Sequence, residues 1–70
     1  MTINTYNSNI EIKFEDERTT INLNADDYLN VNEKFTADIE RESLETFYDL
    51  DENEIEEIIE TLLTLEWIEK

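Results

Sequence analysis

Carboxylates are the chemically active groups that this sequence concentrates, and they are densest between Asp49 and Glu60. Seven acids occur in that stretch, at positions 49, 51, 52, 54, 56, 57 and 60. In a helix they extend over roughly 16 Å at about 1.5 Å per residue, which gives about one charge per 2 to 3 Å. Duplex DNA has one phosphate charge per ~1.7 Å with both strands counted, or one per ~3.4 Å along a single strand. The stretch therefore has a charge density comparable to that of DNA and is suited to binding cationic groups.

A second group of acids precedes this stretch. A helix that begins near Ala37 gathers Asp38, Arg41, Glu42, Glu45 and Asp49 on one side. Like charges three or four residues apart destabilise a helix, and a 70-residue chain has little stability to lose. A solvated face that keeps the protein soluble is the simpler interpretation, but the acids are not interspersed with lysines, so we favour a binding role. The candidate partner-binding residues, called the acidic set below, are Asp38, Glu42, Glu45, Asp49, Asp51, Glu52, Glu54, Glu56, Glu57 and Glu60.

The overall charge of the chain restricts its partners. Twenty acids and five basic residues give a formal net charge of −15. A field of this sign repels nucleic acid and anionic membranes, so we expect no direct nucleic-acid binding, no membrane association and a basic partner. Residues 1–9 lack the features of a signal peptide, and no stretch approaches the ~20 apolar residues of a membrane span. These features predict a cytoplasmic protein.

The side chains that enzymes most often use are missing. The sequence has no His, Cys or Gly, and its only serines are Ser8 and Ser43. It therefore lacks an imidazole base, a thiol nucleophile and a glycine-rich phosphate loop. Carboxylate pairs are so numerous that no single pair indicates an acid–base dyad. We expect no enzymatic activity, no catalytic residues and no cofactor.

One spacing resembles a calcium-binding loop of the EF-hand type. Asp49, Asp51 and Asn53, with Glu60 twelfth in the count, match ligand positions of that loop. The sixth position, which requires Gly for a sharp turn, is Glu54 instead. A capped amphipathic helix explains the same residues, so a calcium-binding acidic module is a minor alternative and we expect no metal ligands.

Alternation of apolar and polar residues predicts β-structure in the N-terminal half. Residues 2–6 are compatible with a short strand, and strict alternation over 9–15 and again over 18–24 predicts an antiparallel hairpin. Because there is no Gly, we expect any left-handed turn position to fall at an Asn or Asp. The segment 25–34 fits either a short helix capped by Asn24 or a strand, and this choice stays open.

Helical periodicity predicts two helices in the C-terminal half. The first has Thr36 as its N-cap. The residues expected on its inner half are Ile39, Leu44, Phe47, Tyr48 and Leu50. The second lies within 49–68, with Asp51 as N-cap and Glu54 completing a capping box. Its apolar stripe is expected to comprise Ile55, Ile58, Ile59, Leu62, Leu63 and Leu65.

Together these elements predict an α+β fold. An antiparallel β-hairpin or small sheet is packed by the two C-terminal amphipathic helices, in a single domain over residues 1–70. A chain of this length buries a modest core and has no disulfide or metal to support it. The apolar stripe of the last helix is wider than such a monomer readily covers, so we expect a homodimer.

In its length, its net charge and its acidic runs 38–45 and 49–60, the chain resembles the phage-encoded acidic DNA mimics. These small proteins block DNA-binding proteins of the host or of its defences, and the chain is most similar to those that inhibit the bacterial nucleoid protein HU during host takeover. The resemblance covers the full chain in size and character and includes no diagnostic motif. DNA mimics share no common fold, so no residue role is transferred. The resemblance implies a basic, HU-like dimeric partner in the cytoplasm of an infected bacterium.

The mechanism expected of such a protein is competition, in which carboxylates take the places of phosphates against Lys and Arg side chains. Exposed aromatic residues beside the acids add contact free energy, and Tyr6, Tyr28 and Trp67 are the candidates. Trp67 lies at the margin of the apolar stripe, so packing in the core or in a dimer is an equal alternative for it. An alternative is that the same chemistry is directed at another DNA-binding target, such as a CRISPR effector, a repair glycosylase or a restriction enzyme.

Overall fold

The computed structural model describes residues 1–70 and shows an α+β fold. In chain order the elements are β1 (Thr2–Thr5), β2 (Asn9–Lys13), β3 (Ile21–Asn24), α1 (Asp26–Leu29), α2 (Ala37–Phe47) and α3 (Glu52–Thr64). The chain forms two compact units, Met1–Val31 with the sheet and α1, and Asn32–Lys70 with α2 and α3. The predicted fold class is confirmed, and a single domain over the whole chain stays a prediction.

The three strands form one antiparallel sheet in the order β1-β2-β3. Ile10 pairs with Leu23 and Ile12 pairs with Ile21 across β2 and β3, and all four side chains are buried. This burial of alternate residues follows from the two-residue period of a strand. The predicted hairpin is therefore confirmed, and β1 extends it to three strands.

Strands β2 and β3 are shorter than predicted, because residues 14–20 make local contacts of their own. The Asp16 carboxylate accepts hydrogen bonds from the backbone N–H and from Nε of Arg18, at 3.0 and 2.9 Å. The Arg18 guanidinium carbon lies 4.2 Å from the centroid of the Phe14 ring. Side-chain bonds to nearby backbone compete with the hydrogen bonds of a β-ladder. The hairpin loop therefore includes the residues predicted at both strand ends.

The segment 25–34, whose sequence fits either a short helix or a strand, contains the short helix α1. Tyr28 is its buried residue, and Ala25 occupies the N-cap position with no side-chain cap, so the suggested cap by Asn24 does not form. At the other end, the backbone N–H of Asn30 donates to the Asp26 carbonyl at 3.3 Å and its side-chain amide donates to the Asp26 carboxylate at 3.2 Å. Helix α1 therefore has backbone and side-chain hydrogen bonds from its C-cap residue and no side-chain N-cap.

Helix α2 begins where predicted, but its inner face differs from the prediction. The Thr36 hydroxyl caps it by accepting a hydrogen bond from the Ile39 N–H at 3.3 Å. Leu44 is buried, whereas Ile39 and Phe47 are 55% and 75% exposed. Ile39 lies about 140° around the helix from Leu44, and Phe47 is the last residue of α2, so no further turn covers it. The inner placement of Ile39, Phe47 and the 37% exposed Tyr48 is therefore wrong.

One acidic residue, which the helical pattern leaves out of place among the apolar positions of α2, is buried. Glu40 is 5% exposed and precedes Leu44 by four residues, which puts the two side chains on the same side of the helix. No buried side-chain nitrogen or oxygen of the chain lacks a hydrogen-bond partner. The inner face of α2 therefore contains Leu44 together with the acidic residue Glu40.

Helix α3 has the predicted cap and ends earlier than predicted. The Asp51 carboxylate accepts from the Glu54 N–H at 2.8 Å, and the Glu54 carboxylate accepts from the Asp51 N–H at 3.0 Å, which completes the capping box. The buried residues of α3 are Ile55, Ile58, Ile59 and Leu62. The helix ends at Thr64, so Leu65 lies beyond the stripe to which it was assigned and is 37% exposed.

A left-handed residue turns the chain after α3. Glu66 has a φ of 62° and is the only non-glycine residue with a positive φ. The N–H groups of Glu66 and Trp67 donate to the carbonyls of Leu63 and Leu62, each at 3.0 Å. This is a Schellman C-cap, whose αL position is set by where the helix ends. The expectation that left-handed positions fall at Asn or Asp is therefore wrong.

The C-terminal residues pair with the start of α2. Glu69 forms a parallel β-bridge with Thr36. The Ala37 N–H donates to the Glu69 carbonyl at 2.6 Å, and the Glu69 N–H donates to the Phe35 carbonyl at 2.9 Å. Trp67 is buried just before this bridge.

None of the helices has the length and apolar composition needed to cross a bilayer.

Candidate partner-binding surface

Helix α3 presents its carboxylates because its buried stripe fixes the orientation of the helix. At 100° per residue, Glu56, Glu57 and Glu60 fall on the arc opposite the four buried residues of α3. All three are exposed. Asp51 is the N-cap of α3 and Glu52 is its first residue. The positive end of the helix dipole stabilises negative charge at both positions. Packing and capping together therefore orient the acids of α3 toward solvent.

Nearly all of the acidic set is accessible. Nine of its ten residues are exposed, and the tenth, Glu54, is half-buried and bonded within the capping box. All ten lie in the unit Asn32–Lys70. That unit contains 14 acids and three basic residues, which gives it a net charge of −11. The predicted surface carboxylates thus belong to one compact unit, where eight lie on α2 and α3 and two, Asp49 and Asp51, lie between these helices.

A cavity of about 300 Å³ brings acids of α2 and α3 together. Its lining residues are Arg41, Glu45, Leu50, Glu52 and Ile55. Nη2 of Arg41, one of these lining residues, lies 2.8 Å from Oε2 of Glu56, and the two side chains are 34% and 53% exposed. Sequence reasoning missed this ion pair. The signal that could have found it is that Arg41 is the only basic residue in either helix.

A second cavity, of about 440 Å³, lies along the C-terminal half of α3. Its lining residues are Glu56, Glu60, Leu63, Thr64 and Lys70. Glu56 therefore contributes to both regions, through its ion pair with Arg41 and through this second lining. Carboxylates form part of the lining of both cavities, which suits them to contacts with cationic side chains of a partner.

The aromatic residues near the acids differ from those predicted. Tyr6 is 56% exposed, but Tyr28 and Trp67 are 6% and 5% exposed. The assignment of Tyr28 as a partner contact is therefore wrong, and for Trp67 the alternative of core packing is the correct one. Both rings are large enough that the core gains more from burying them than the surface gains from presenting them. Phe47, assigned to the inner face, is instead the most exposed large hydrophobic residue, and it belongs to the same unit as the acidic set.

One carboxylate outside the acidic set has a shifted pKa. Hydrogen bonds from the side chain and the backbone N–H of Arg18 hold the pKa of Asp16 below its usual 3.8. A bidentate guanidinium contact favours the charged form of a carboxylate. Asp16 lies in the unit Met1–Val31, so this pairing neutralises none of the acids on α2 and α3.

The segment that matches a calcium loop is helical. Residues 52–60 all belong to α3, whereas a calcium loop must wrap its ligands around the ion. In no part of the chain are three or more His, Cys, Asp or Glu residues arranged to hold a metal ion. The EF-hand interpretation of this segment is therefore wrong.

Comparisons with protein-family models, with curated proteins and with solved structures found no match to this chain.

Proposed function

We propose that this chain is a DNA mimic that binds the basic DNA-binding surface of a nucleoid-associated protein and competitively blocks its DNA binding. The observation that best supports the proposal is the exposure of nine of the ten carboxylates of the acidic set, all in one unit and eight of the ten on its two helices. We place its action in the cytoplasm of an infected bacterium, where such a partner binds the chromosome.

The proposed mechanism is an exchange of anions on one cationic surface. Lys and Arg side chains that normally contact phosphates contact the carboxylates of α2 and α3 instead, and the counterions of both surfaces are released. Opposite fields also speed the encounter of the two proteins. The net charge of −11 on the unit Asn32–Lys70 supports both effects.

The partner that we propose is an HU-like dimer. The surface requires a basic protein that grips DNA mainly through its phosphates, because a helix face of carboxylates presents charge and no base edges. HU satisfies this requirement, and the resemblance to phage inhibitors of HU favours it over other DNA-binding targets.

The first test removes charge from α3 while leaving its shape. Replacing Glu52, Glu57 and Glu60 with Gln keeps side-chain size and helix propensity nearly constant and leaves the Arg41–Glu56 ion pair intact. We expect the affinity for HU to fall by about tenfold or more, since each lost charge contact contributes up to about 1 kcal/mol. The affinity is measured by isothermal titration calorimetry at fixed salt, and folding is checked by circular dichroism.

A matched control removes the same charge from the other unit. Glu15→Gln, Glu17→Gln and Asp27→Asn also neutralise three exposed acids, all within Met1–Val31. We expect this variant to bind HU within about threefold of the parent, because the remaining difference is only the long-range field. Equal binding by the parent and the α3 variant, both folded, would show that these carboxylates are only solvated surface.

A further inference from the structure

Arg41 is the one cation on the two helices that present the acidic set. Its guanidinium pairs with Glu56 of α3 at 2.8 Å. It also lines the cavity to which Glu45 of α2 and Glu52 of α3 contribute. Arg41 thus lies among three carboxylates from two helices.

Glu45 and Glu52 line that cavity with Arg41, so removal of Arg41 leaves only like charges among its charged lining residues. The two helices are joined in sequence by residues 48–51 only. Arg41 connects α2 to α3 by an ion pair in addition to their apolar packing. A guanidinium suits this position, because its planar fork holds a carboxylate in a defined direction.

We infer that Arg41 is a positioning residue that sets the acids of α2 relative to those of α3, and that the basic partner recognises this arrangement. The inference rests on the proposed function and deepens it. Arrangement before binding improves affinity, because the partner need not order the surface itself. A cation within the acidic face therefore strengthens binding to a basic protein, although it makes the net charge less negative.

The sign of this effect separates positioning from net charge. Arg41→Met removes the ion pair and makes the chain one charge more negative, so a purely electrostatic surface binds HU more tightly. The inference predicts the opposite, a loss of about threefold or more in affinity. Lys13→Met is the matched control, because it also removes one positive charge and one surface ion pair, with Glu11 at 3.5 Å in β2. It should bind at least as tightly as the parent.

The double variant Arg41→Glu with Glu56→Arg tests rescue. It restores an ion pair between the same positions and keeps the net charge of the parent, so its affinity should return to within about twofold. Loss of stability alone does not reproduce this pattern, because each variant is measured by calorimetry well below its own melting midpoint. If Arg41→Met does not fold, Arg41→Gln makes the same charge change and replaces it.

The outcomes are distinct. If the parent binds HU and the Arg41 variant binds as tightly as the Lys13 variant, or more tightly, the positioning role is wrong and the proposed function stands. Failure of the double variant to recover affinity also overturns the positioning role. A parent that binds no HU overturns the proposed function, and this inference with it.

Discussion

At the scale of single residues, the turn after α3 is strained, because a residue with a Cβ occupies a left-handed position. Glu66 occupies the αL position of the Schellman cap with a φ of 62°, and a left-handed conformation costs a residue with a Cβ about 1 to 2 kcal/mol. The strain is tolerated because the turn places Trp67 in the core, where it is 5% exposed.

Replacing Glu66 with Gly should stabilise the fold. Glycine removes the αL penalty, and part of that gain is offset by the greater freedom of glycine in the unfolded chain. We expect a net gain of about 0.5 to 1 kcal/mol, a rise in melting midpoint of roughly 2 to 8 °C for a domain of this size. Thermal unfolding followed by circular dichroism measures it. An unchanged or lower midpoint would show that Glu66 is not strained.

At the scale of secondary-structure elements, the parts predicted well are those with a local signal. The capping box of Asp51 and Glu54 requires only residues three apart, and it forms as predicted. The inner face of α2 depends instead on which residues of the helix meet the rest of its unit. The sequence of α2 offers Ile39 and Phe47 as apolar candidates, and burial selects Leu44 with Glu40. The pairing of Arg41 with Glu56 is not predicted for the same reason, because the two residues lie on different helices.

The end of α3 gives a test at this scale, since two leucines of the predicted stripe have different environments. Leu62 is fully buried within the helix, while Leu65 follows its end and is 37% exposed. Leu62→Ala should destabilise the chain by about 2 to 5 kcal/mol through cavity formation, and Leu65→Ala by about 1 kcal/mol or less. Urea unfolding of both variants measures the difference. Equal losses would contradict the observed end of the helix.

At the scale of the whole molecule, the expected homodimer must use an interface other than the apolar stripe of α3 from which it was predicted. The stripe of α3 is covered within a single chain, since its four buried residues are at most 3% exposed. The apolar side chains left for self-association include Ile39 and Phe47 of α2. Repulsion between two chains of charge −15 opposes the contact, so it must be apolar.

We predict that light scattering at high protein concentration and physiological salt gives twice the chain mass of 8.4 kDa. Replacing Ile39 and Phe47 with Ser should return the mass to that of one chain, because both side chains are exposed in the single chain. The single-chain mass for the parent under these conditions would contradict the homodimer.

Displacement of DNA from HU tests the central claim most directly. Fluorescently labelled duplex DNA is first bound to the HU dimer, and the unmodified chain is then titrated in at several salt concentrations while fluorescence anisotropy is recorded. Because both anions require the same cationic surface, we predict that anisotropy falls to the value of free DNA, and that the affinity of the chain for HU decreases steeply as salt rises. Anisotropy that stays at the HU–DNA value, or rises as a ternary complex forms, would contradict the account.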